Sequence, residues 1–561
     1  MYDEGTTLAG GIAAGGGPGT PGRTSSDIGE NGSGATADTT AGLPDAGKAA
    51  STDSKRGGAA VSDPARGEAA ISDPARGDAA ISDRAPGDAT ISDPARSDAA
   101  VADSGQGDSA VGDPGPERAD TAVEIAAAVQ NGVVTPEEVV AATLERIRGR
   151  DRKLNAFSVV RVDAARAEAR AVAERPDLDV LPLAGVPIAV KNNVDVAGEV
   201  TRGGSLAVAD RRAAGDHTVV RRLRAAGAVV VGLTTMPEFG LWGVTDGPDR
   251  ITRGPWNQRF SAGGSSGGAG AAVAAGMVPV AHGNDGLGSI RIPAACCGLV
   301  GIKPGRGLVP AEVGVDSWHG MTENGVLATT VADAALVLSV LADRPDLTDP
   351  GTPPTLRIGL ATAAPLPLIR VDRAWTAAAD KAAAIASADG HTIGVAELPY
   401  QGAAFAATLR WLAGAAAEAD AVAYPERLQR RTRTHARLGR LALKSGLLRP
   451  SQVDRVEARL QDYFERYDVV ITPTLATPPP RAGRWHARPW FTNVVANVRF
   501  SPFTPLWNLV GWPAITVPMG FHPRTGTPVA AQLAGPPGSE STLLGLAAQL
   551  EAAHPWPRTA A

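Results

Sequence analysis

Cysteine is almost absent from this chain of 561 residues, which contains only two, Cys296 and Cys297, side by side. Adjacent cysteines cannot close a long loop, so a fold held together by disulfides is excluded. Long hydrophobic runs are also missing, since none approaches the ~20 residues that a membrane span needs. The first residues, 1–4 (MYDE), lack the basic segment and apolar core of a signal peptide. These absences predict a cytoplasmic protein that makes no use of a membrane.

The chain has no strong excess of either charge, since 54 Lys and Arg face 59 Asp and Glu, for a formal net charge of −5. This balance argues against nucleic acid or an anionic membrane surface as a partner. Aromatic residues make up only 4% of the chain, which predicts a core of Ala, Val, Leu and Ile. Gly (66) and Pro (44) together are about a fifth of the chain, against roughly 12% in an average protein. Part of the chain is therefore expected to be unpacked.

Residues 1–118 differ in composition from the rest, because Tyr2 is their only aromatic residue and Gly, Ala, Ser, Asp and Pro dominate. From 59 to 118 a ten-residue unit such as AAISDPARGD occurs six times, with a single Val or Ile in each unit. So little apolar surface cannot offset an ordering cost of ~1–2 kcal/mol per residue. We expect residues 1–118 to be a disordered low-complexity tail; a tethering or partner-binding arm is the alternative.

Residues 119–561 show strand and helix patterns in alternation. Thr135, Pro136 and Glu138 form a strong helix start, with a capping box and a proline at the first helical position. Apolar runs predict buried strands at 186–190, 228–231, 468–471 and 514–517. Further helices are predicted at 216–226 with Asp216 as cap, 267–275, 331–341 with Thr330 as cap, 372–388, 451–467 and 540–552. The pattern indicates an α/β fold, a single domain with a mixed central β-sheet covered by helices.

Two segments rich in glycine and serine are the first candidates for chemistry, residues 261–270 (SAGGSSGGAG) and 283–293 (GNDGLGSIRIP). Glycines beside a hydroxyl let the backbone approach a ligand and let amide N–H groups point into a concavity. Lys191, at the end of a predicted strand, adds a third element, because a lysine shielded from water loses its charge and can accept a proton from a serine. Taken singly, these features also fit flexible loops and a solvated lysine.

In combination, these motifs resemble those of the amidase signature family of serine hydrolases. The matching segments, in the family's order, are 185–192 (GVPIAVKN), 263–268 (GGSSGG), 285–293 (DGLGSIRIP) and 297–304 (CGLVGIKP). The 24 positions from Ser265 to Ser289 are the family's spacing. A weaker resemblance extends from about 120 to 557 and includes 508–514 (NLVGWPA).

The resemblance implies a catalytic triad in which Ser289 is the nucleophile, Ser265 relays its proton and Lys191 is the distal base. It also implies a cis peptide bond between Gly264 and Ser265. The oxyanion hole would consist of the backbone amides of Gly286, Leu287, Gly288 and Ser289. No metal or organic cofactor is implied.

Leu287 departs from the family pattern, which commonly has two glycines directly before the nucleophile. Leucine keeps the N–H donor but disfavours a positive φ. We therefore expect Leu287 either to narrow the acyl site or to shift the geometry of the oxyanion hole.

The expected function is that of a stand-alone amidase that hydrolyses a linear, non-peptide carboxamide to a carboxylic acid and ammonia or an amine. The implied partner is a small-molecule amide substrate, with no nucleic acid and no membrane, and a homodimer is left open. Aromatic residues of the second half suggest an apolar or aryl acyl group, or else serve in core packing: Trp411, Tyr424, Trp490, Phe491, Phe503 and Trp507.

Other interpretations stay open at this point. Residues 263–267 also fit the nucleophile elbow of α/β-hydrolases, with His522 or His554 as the late histidine. Cys296 and Cys297 could be thiol nucleophiles, although their apolar context favours buried packing. The basic stretch 427–449 could contact RNA or an acidic substrate, although a solvated helix surface is favoured. Within the family, the alternatives are an amidotransferase subunit that releases ammonia for charged tRNA and a catalytically impaired interaction protein.

Overall fold

The computed structural model describes residues 120–560. The predicted tail of 1–118, with its repeats at 59–118, lies outside the described residues, and the domain boundary at 119 stays a prediction. Within the described part of the chain, no helix is both long enough and apolar enough to cross a membrane.

Fifteen α-helices lie between residues 120 and 560. In chain order they are α1 (Ala122–Gln130), α2 (Pro136–Leu154), α3 (Val162–Ala173), α4 (Thr218–Ala225), α5 (Gly267–Ala274), α6 (Arg291–Cys297), α7 (Ser317–Gly320), α8 (Val331–Ala342), α9 (Arg373–Ala388), α10 (Ala403–Asp420), α11 (Arg430–Lys444), α12 (Ser451–Phe464), α13 (Trp490–Phe500), α14 (Pro505–Val510) and α15 (Glu540–Ala553). Short 3₁₀ helices span Leu178–Val180, Glu238–Gly240, Pro345–Leu347, Pro425–Arg427 and Trp485–Ala487.

The strands of the described residues form one eleven-stranded sheet. They are β1 (Phe157–Val160), β2 (Pro187–Lys191), β3 (Val229–Thr234), β4 (Val280–Asp285), β5 (Val300–Lys303), β6 (Glu323–Ala328), β7 (Arg357–Leu360), β8 (Thr392–Val395), β9 (Val469–Pro473), β10 (Ala514–Phe521) and β11 (Pro528–Ala534). Their order across the sheet is β1-β3-β2-β4-β6-β5-β10-β11-β9-β7-β8. The pairs that β2 makes with β3 and β4, and β7 with β8 and β9, are parallel, and the other pairs are antiparallel. The predicted α/β fold with a mixed central sheet is confirmed.

The start of α2 shows how the sequence sets a helix boundary. The amide of Glu138 donates to Thr135 Oγ1 at 3.2 Å, and the amide of Thr135 donates to the Glu138 carboxylate at 2.9 Å. These two bonds complete the capping box that the sequence predicts. The helix then buries Val140, Leu144 and Ile147 on one face, which confirms the predicted apolar spacing.

The predicted cap of α4 is wrong. The capping residue is His217, whose Nδ1 accepts the amide of Val219 at 3.1 Å. Asp216, the predicted cap, instead accepts the amide of Ala197 at 2.7 Å and binds Arg224 at 2.9 Å. Asp216 and His217 are adjacent and either could cap the helix. The Asp216 carboxylate binds Ala197 and Arg224 instead, so the cap is left to His217.

The hydrophobic core of the described residues has two parts of different composition. The part around the sheet is almost entirely aliphatic, as the composition predicts, and Phe157, Trp375 and Phe500 are its aromatic members. The second part, which includes residues of α10 and α14, is rich in aromatic side chains, so an aliphatic core is a wrong prediction there. Its tryptophans are Trp242, Trp318, Trp411, Trp507 and Trp512.

The sheet brings the segments singled out in the sequence to one edge. Strands β2 and β4 are parallel neighbours, paired through Ile188 and Val280. Their carboxyl ends, Lys191 and Asp285, therefore lie at the same edge of the sheet, where α/β folds commonly bind ligands. Helices α5 and α6 begin within the two glycine-serine segments, at Gly267 and Arg291.

Candidate active site

Lys191 is the last residue of β2 and is fully buried. Its Nζ lies 2.8 Å from Ser265 Oγ, 2.6 Å from Asn284 Oδ1 and 3.1 Å from the carbonyl oxygen of Asn284. The side-chain amide of Asn284 is held in turn, because its Nδ2 donates to Asn193 Oδ1 at 2.8 Å. Asn193 thereby fixes the orientation in which Asn284 Oδ1 faces the lysine.

The surroundings of Lys191 favour its neutral form. Burial lowers the pKa of Lys191 from 10.5 to about 7, although the charge of Asp285 acts in the opposite direction. Among the described residues within hydrogen-bond distance, the lysine meets uncharged oxygens of Ser265 and Asn284 and no carboxylate. An uncharged amine in contact with a serine hydroxyl is thus available near neutral pH.

Ser265 lies in the turn before α5, and the peptide bond between Gly264 and Ser265 is cis. The backbone here is packed too closely for any side chain at Gly264, because a Cβ there would lie 2.6 Å from the carbonyl oxygen of Trp242. This close packing holds Ser265 with its Oγ against Lys191.

Ser289 lies in the turn before α6 and is 8% exposed. Its carbonyl oxygen accepts the amide of Ser266 at 3.1 Å, which ties the two glycine-serine segments together. Ser265 and Ser289 line the same cavity, although no hydrogen bond joins their two hydroxyls within residues 120–560. The structure thus places Lys191 in direct contact with Ser265 and places Ser289 beside that pair.

The loop between β4 and α6 contains the predicted oxyanion donors. The amide of Gly288 donates to Asp285 Oδ1 at 2.5 Å, so it is already engaged. The amides of Gly286, Leu287 and Ser289 have no acceptor among the residues that the structure describes. Three of the four predicted donors are therefore not engaged within the described part of the protein.

Leu287 does not take the conformation that would exclude a leucine. The positive φ of this loop, 117°, falls on Gly288, where a Cβ would also lie 2.3 Å from Thr504 Oγ1. Leu287 itself has no positive φ, and its carbonyl oxygen accepts the Thr504 hydroxyl at 2.7 Å. Glycine is thus retained at the position that requires it, while the leucine side chain lines a neighbouring cavity.

Asp285 and Arg291, both fully buried, brace this loop from behind. Arg291 Nε donates to Asp285 Oδ2 at 3.0 Å, and Arg291 Nη2 donates to Asn508 Oδ1 at 2.6 Å. Asn508 Nδ2 closes the network on Asp285 Oδ1 at 2.9 Å. Burial alone would raise the pKa of Asp285, but the charge and hydrogen bonds of Arg291 hold it well below its usual range. The carboxylate is therefore ionised at any pH at which the protein works.

We expect Arg291→Met to lower the free energy of unfolding by about 3–5 kcal/mol, because it leaves the buried Asp285 carboxylate without its cation. Urea unfolding followed by circular dichroism measures this change. Arg344→Ala is the matched control, since its ion pair with Asp346 is exposed and its loss should leave the unfolding midpoint unchanged. Equal effects of the two substitutions would contradict a bracing role for the buried pair.

Two cavities meet at Ser289. The first, of about 280 Å³ and here called the polar cavity, includes in its lining Asp195, Arg202, His217, Ser265, Glu312 and Glu418. The second, of about 370 Å³ and here called the apolar cavity, includes in its lining Trp242, Leu287, Trp318, Phe405, Trp411 and Leu506.

Of the aromatic residues predicted to wall a pocket, only Trp411 lines the apolar cavity. Phe503 and Trp507 are fully buried in the core, and Tyr424 and Phe491 are exposed. Trp490 donates to His435 Nδ1 at 2.9 Å and does not line the cavity. Sequence reasoning missed Trp242, which lies in an irregular segment, and Trp318, which lies in the four-residue helix α7. Neither stretch is long enough to show an apolar period that would signal a pocket.

Neither the histidines nor the cysteines of the alternative interpretations line the two cavities at Ser289. His522 Nε2 lies 3.4 Å from Asp372, and His554 Nε2 lies 2.8 Å from Lys381 Nζ. Both cysteines are buried, and burial raises the pKa of each thiol, as expected for packing residues. Within residues 120–560, no three His, Cys, Asp or Glu side chains are grouped so that they could hold a metal ion.

The basic stretch 427–449 is not uniformly solvated. Arg431 is fully buried and binds Asp246 at 2.8 Å, with Asn493 Oδ1 at 3.0 Å as a further partner. Arg433 and Arg437 of α11 are exposed, as predicted. The expectation of a solvated surface is therefore wrong for Arg431.

Comparisons with known proteins identify the relatives of this chain. The family model described as "Amidase" matches residues 138–544. Relatives from Mycobacterium tuberculosis include "Putative amidase AmiB2", 42% identical over 77% of this chain and 95% of its own length, and "Putative amidase AmiA2", 40% identical over 79% and 95%. A solved 6-aminohexanoate cyclic dimer hydrolase superposes with a TM-score of 0.71 at 29% identity, over 78% of this chain and 97% of its own. A bacterial aryl acylamidase follows with a TM-score of 0.68 at 27% identity, over 79% and 98%.

Proposed function

The chain belongs to the amidase signature family and is a hydrolase that acts on amides, and we propose that it does so through a triad of Ser289, Ser265 and Lys191. Ser289 is the nucleophile in this proposal, Ser265 carries the proton and Lys191 is the final base. The products are a carboxylic acid and ammonia or an amine.

The observation that carries this proposal is the set of partners around Lys191 Nζ. A neutral amine has two N–H donors and one lone pair. Two of its three partners, the carbonyl and side-chain oxygens of Asn284, can only accept hydrogen bonds. Both N–H groups are therefore directed to Asn284, and the lone pair is left for the hydroxyl of Ser265 at 2.8 Å. This arrangement makes Lys191 an acceptor for the proton of Ser265.

The proton transfer then follows from Ser265. Once its own proton is directed to Lys191, the free lone pairs of Ser265 Oγ can accept a proton from Ser289 in their shared cavity. Ser289 Oγ attacks the amide carbonyl, and the same relay returns the proton to the leaving nitrogen. Water then hydrolyses the acyl-enzyme by the reverse use of the relay.

The negative oxygen of the intermediate needs donors that are already in place. We assign this role to the amides of Gly286, Leu287 and Ser289, which have no other acceptor within the described part of the chain. Gly288, predicted as a donor from the sequence, serves instead to anchor the loop on Asp285. Each donor of this kind typically contributes about 10²–10³ in rate.

Linear amides remain the proposed substrates, because the two cavities at Ser289 can each take one half of an open-chain molecule.

The two alternative functions within the family predict different behaviour of the purified chain. An amidotransferase subunit would need a partner subunit for its reaction, and an impaired family member would bind without turnover.

We expect the purified full chain, with no other protein added, to convert simple carboxamides to acid and ammonia in equal amounts. A coupled assay for ammonia measures this, and a fluorophosphonate should block it while labelling the peptide that contains Ser289. Ammonia release only after a partner subunit is added would favour the amidotransferase alternative. Labelling without turnover of any amide would favour the impaired enzyme.

A further inference from the structure

We propose that the two cavities bind the substrate in one direction, with an apolar, aryl-bearing acyl group in the apolar cavity and a polar or cationic amine in the polar cavity. This inference rests on the proposed function, because it places the scissile carbonyl at Ser289. It adds the class of substrate and the side of the nucleophile on which each half lies.

The direction follows from the positions of the two serines. Ser289 lines both cavities, whereas Ser265 lines only the polar cavity. The leaving nitrogen must receive its proton from Ser265, so the amine half has to lie on the side where Ser265 is accessible. The acyl group then extends to the other side of Ser289, into the apolar cavity.

The apolar cavity suits an aryl group and excludes charge. Among the described residues, none of the side chains that line it is charged. Of its polar side chains, Asn497 Oδ1 accepts the amide of Gly243 at 2.5 Å and the Ser501 hydroxyl donates to the Asn497 carbonyl at 3.3 Å. Tyr400 Oη and Trp242 Nε1, which are uncharged, have no partner among the described residues. A charged acyl group would lose its hydration there without meeting a side chain of opposite charge.

The size and composition of the apolar cavity point the same way. Its volume of about 370 Å³ is more than twice the ~150 Å³ that accommodates a benzene ring. Trp242 and Trp411 meet edge to face with ring centroids 5.5 Å apart, and Trp318 and Phe405 add further aromatic surface. An aryl ring on a short chain would bury its whole surface against these rings.

The polar cavity has an excess of carboxylates. Asp195, Glu312 and Glu418 line it, and its single guanidinium, Arg202, already binds Asp210 at 2.5 Å outside the cavity. His217 brings no lasting positive charge, because burial lowers its pKa below the ordinary value. Burial raises the pKa of Glu418, and an ammonium beside it would favour the charged carboxylate again. An amine with a positive charge is thus attracted, and an anionic one is repelled.

The chemical step keeps its balance in this orientation. The bond from Ser289 Oγ to the acyl carbon forms as the carbon–nitrogen bond breaks. The amine leaves into the polar cavity with the proton that Ser289 gave up through Ser265. Water then cleaves the ester, which releases the aryl-bearing acid and restores the Ser289 hydroxyl.

A pair of isomers that differ only in the direction of the amide tests the proposal. N-(2-aminoethyl)-3-phenylpropanamide has the aryl group on the acyl side, and 3-amino-N-(2-phenylethyl)propanamide has it on the amine side. Composition, charge and length are the same in both. We expect kcat/KM to be at least about tenfold higher for the first isomer, with amine release measured by liquid chromatography. Equal rates, or a preference for the second isomer, would overturn the proposed direction.

Failure of this inference can be told apart from failure of the proposed function. If the enzyme hydrolyses other amides but neither isomer, the substrate class is wrong while the triad stands. If no amide is hydrolysed and a fluorophosphonate does not label Ser289, the function itself fails.

Two variants test the cavities separately. Phe405→Ala, at a half-exposed position of the apolar cavity, should raise KM for the first isomer several-fold. Phe491→Ala, exposed and outside both cavities, is its control.

Glu418→Gln tests the polar cavity. In the native enzyme we expect kcat/KM to be about tenfold higher for the 2-aminoethyl amide than for the corresponding 2-carboxyethyl amide. This ratio should be smaller in Glu418→Gln. An unchanged preference would contradict the role of the carboxylates.

Discussion

Ser289→Ala is expected to abolish formation of the acyl-enzyme and to lower kcat by about 10⁴–10⁶-fold. In the proposed mechanism this substitution removes the atom that forms the bond to carbon, while Lys191 and Ser265 keep their contact at 2.8 Å. Ammonia release gives the rate, and mass spectrometry after treatment with a fluorophosphonate shows whether any label remains. The variant should still bind substrate, because both cavities keep their walls.

Ser266→Ala is the matched control for this experiment. Ser266 is the next residue after the relay serine and is as buried as the nucleophile's neighbours. Its hydroxyl donates to the Asn284 carbonyl at 3.2 Å, an oxygen that also accepts from Lys191. When the Ser266 hydroxyl is removed, Lys191 still donates to the same carbonyl oxygen. We therefore expect Ser266→Ala to change kcat by less than tenfold. If Ser289→Ala kept the native rate while Ser266→Ala lost it, the assignment of the nucleophile would be wrong.

The segments that form the site could be found in the sequence because each is short and has a distinctive composition. Lys191 ends an apolar strand, and Ser265 and Ser289 stand among glycines. What brings them together is the parallel pairing of β2 and β4, which aligns the carboxyl ends of two strands more than 90 residues apart. Local pattern was enough to predict that a buried strand ends at Lys191, and the resemblance supplied the order of the motifs.

The supporting residues were missed because their roles depend on partners far away in the chain. Asn284 lies inside the glycine-serine segment 283–293. Nothing in that segment shows that Asn284 accepts two hydrogen bonds from Lys191, which lies 93 residues earlier. Arg431 looks like one of several solvated arginines until Asp246, 185 residues away, is seen to neutralise it. Trp242 lies in an irregular segment, where neither a helical nor a strand period can mark it as part of a wall.

The engagement of Gly288 could not be predicted either. Its amide differs from those of its neighbours only because the Asp285 side chain folds back onto it, and Arg291 and Asn508 hold that side chain in place. The last of these residues is 223 positions away from Asp285. Of the four donors predicted from the sequence, one is thus engaged by Asp285 and the other three have no acceptor in the part of the chain that the structure describes.

The second large effect is expected at Lys191. Since the proposed base works only when neutral, kcat/KM should fall about tenfold per pH unit below about pH 7, the pKa to which burial lowers Lys191, and should level off above it. Lys191→Met should lower kcat/KM by about 10²–10⁴-fold at pH 8. The variant should also lack the step near pH 7 in the profile of kcat/KM against pH. If the role of Lys191 were merely structural, the step would persist in Lys191→Met. The measurement is a pH–rate profile from pH 5 to 9 for both proteins.

Other buried groups near the site titrate too, and a control must separate them from Lys191. Burial raises the pKa of Glu323 and lowers the pKa of Lys303, so both pKa values move towards the neutral pH range. His282 does not interfere, because burial lowers its pKa to about 3. Glu323→Gln keeps the size of the side chain, and the step near pH 7 should persist in this variant. A step that vanished in Glu323→Gln and survived in Lys191→Met would move the role of the base away from Lys191.

The same pKa shift makes a prediction about stability, which distinguishes a buried neutral amine from a charged one. Lys191 titrates at about 7 in the folded protein and near its ordinary value of 10.5 in the unfolded chain. Between these two values the unfolded state binds more protons, so the stability of the native protein rises with pH. Lys191→Met lacks this dependence, so it should be more stable than the native protein at pH 7, by a margin that shrinks towards pH 10. Urea unfolding at pH 7, 8 and 9 measures the margin; one that stayed constant with pH would mean that the lysine is not neutral in the folded enzyme.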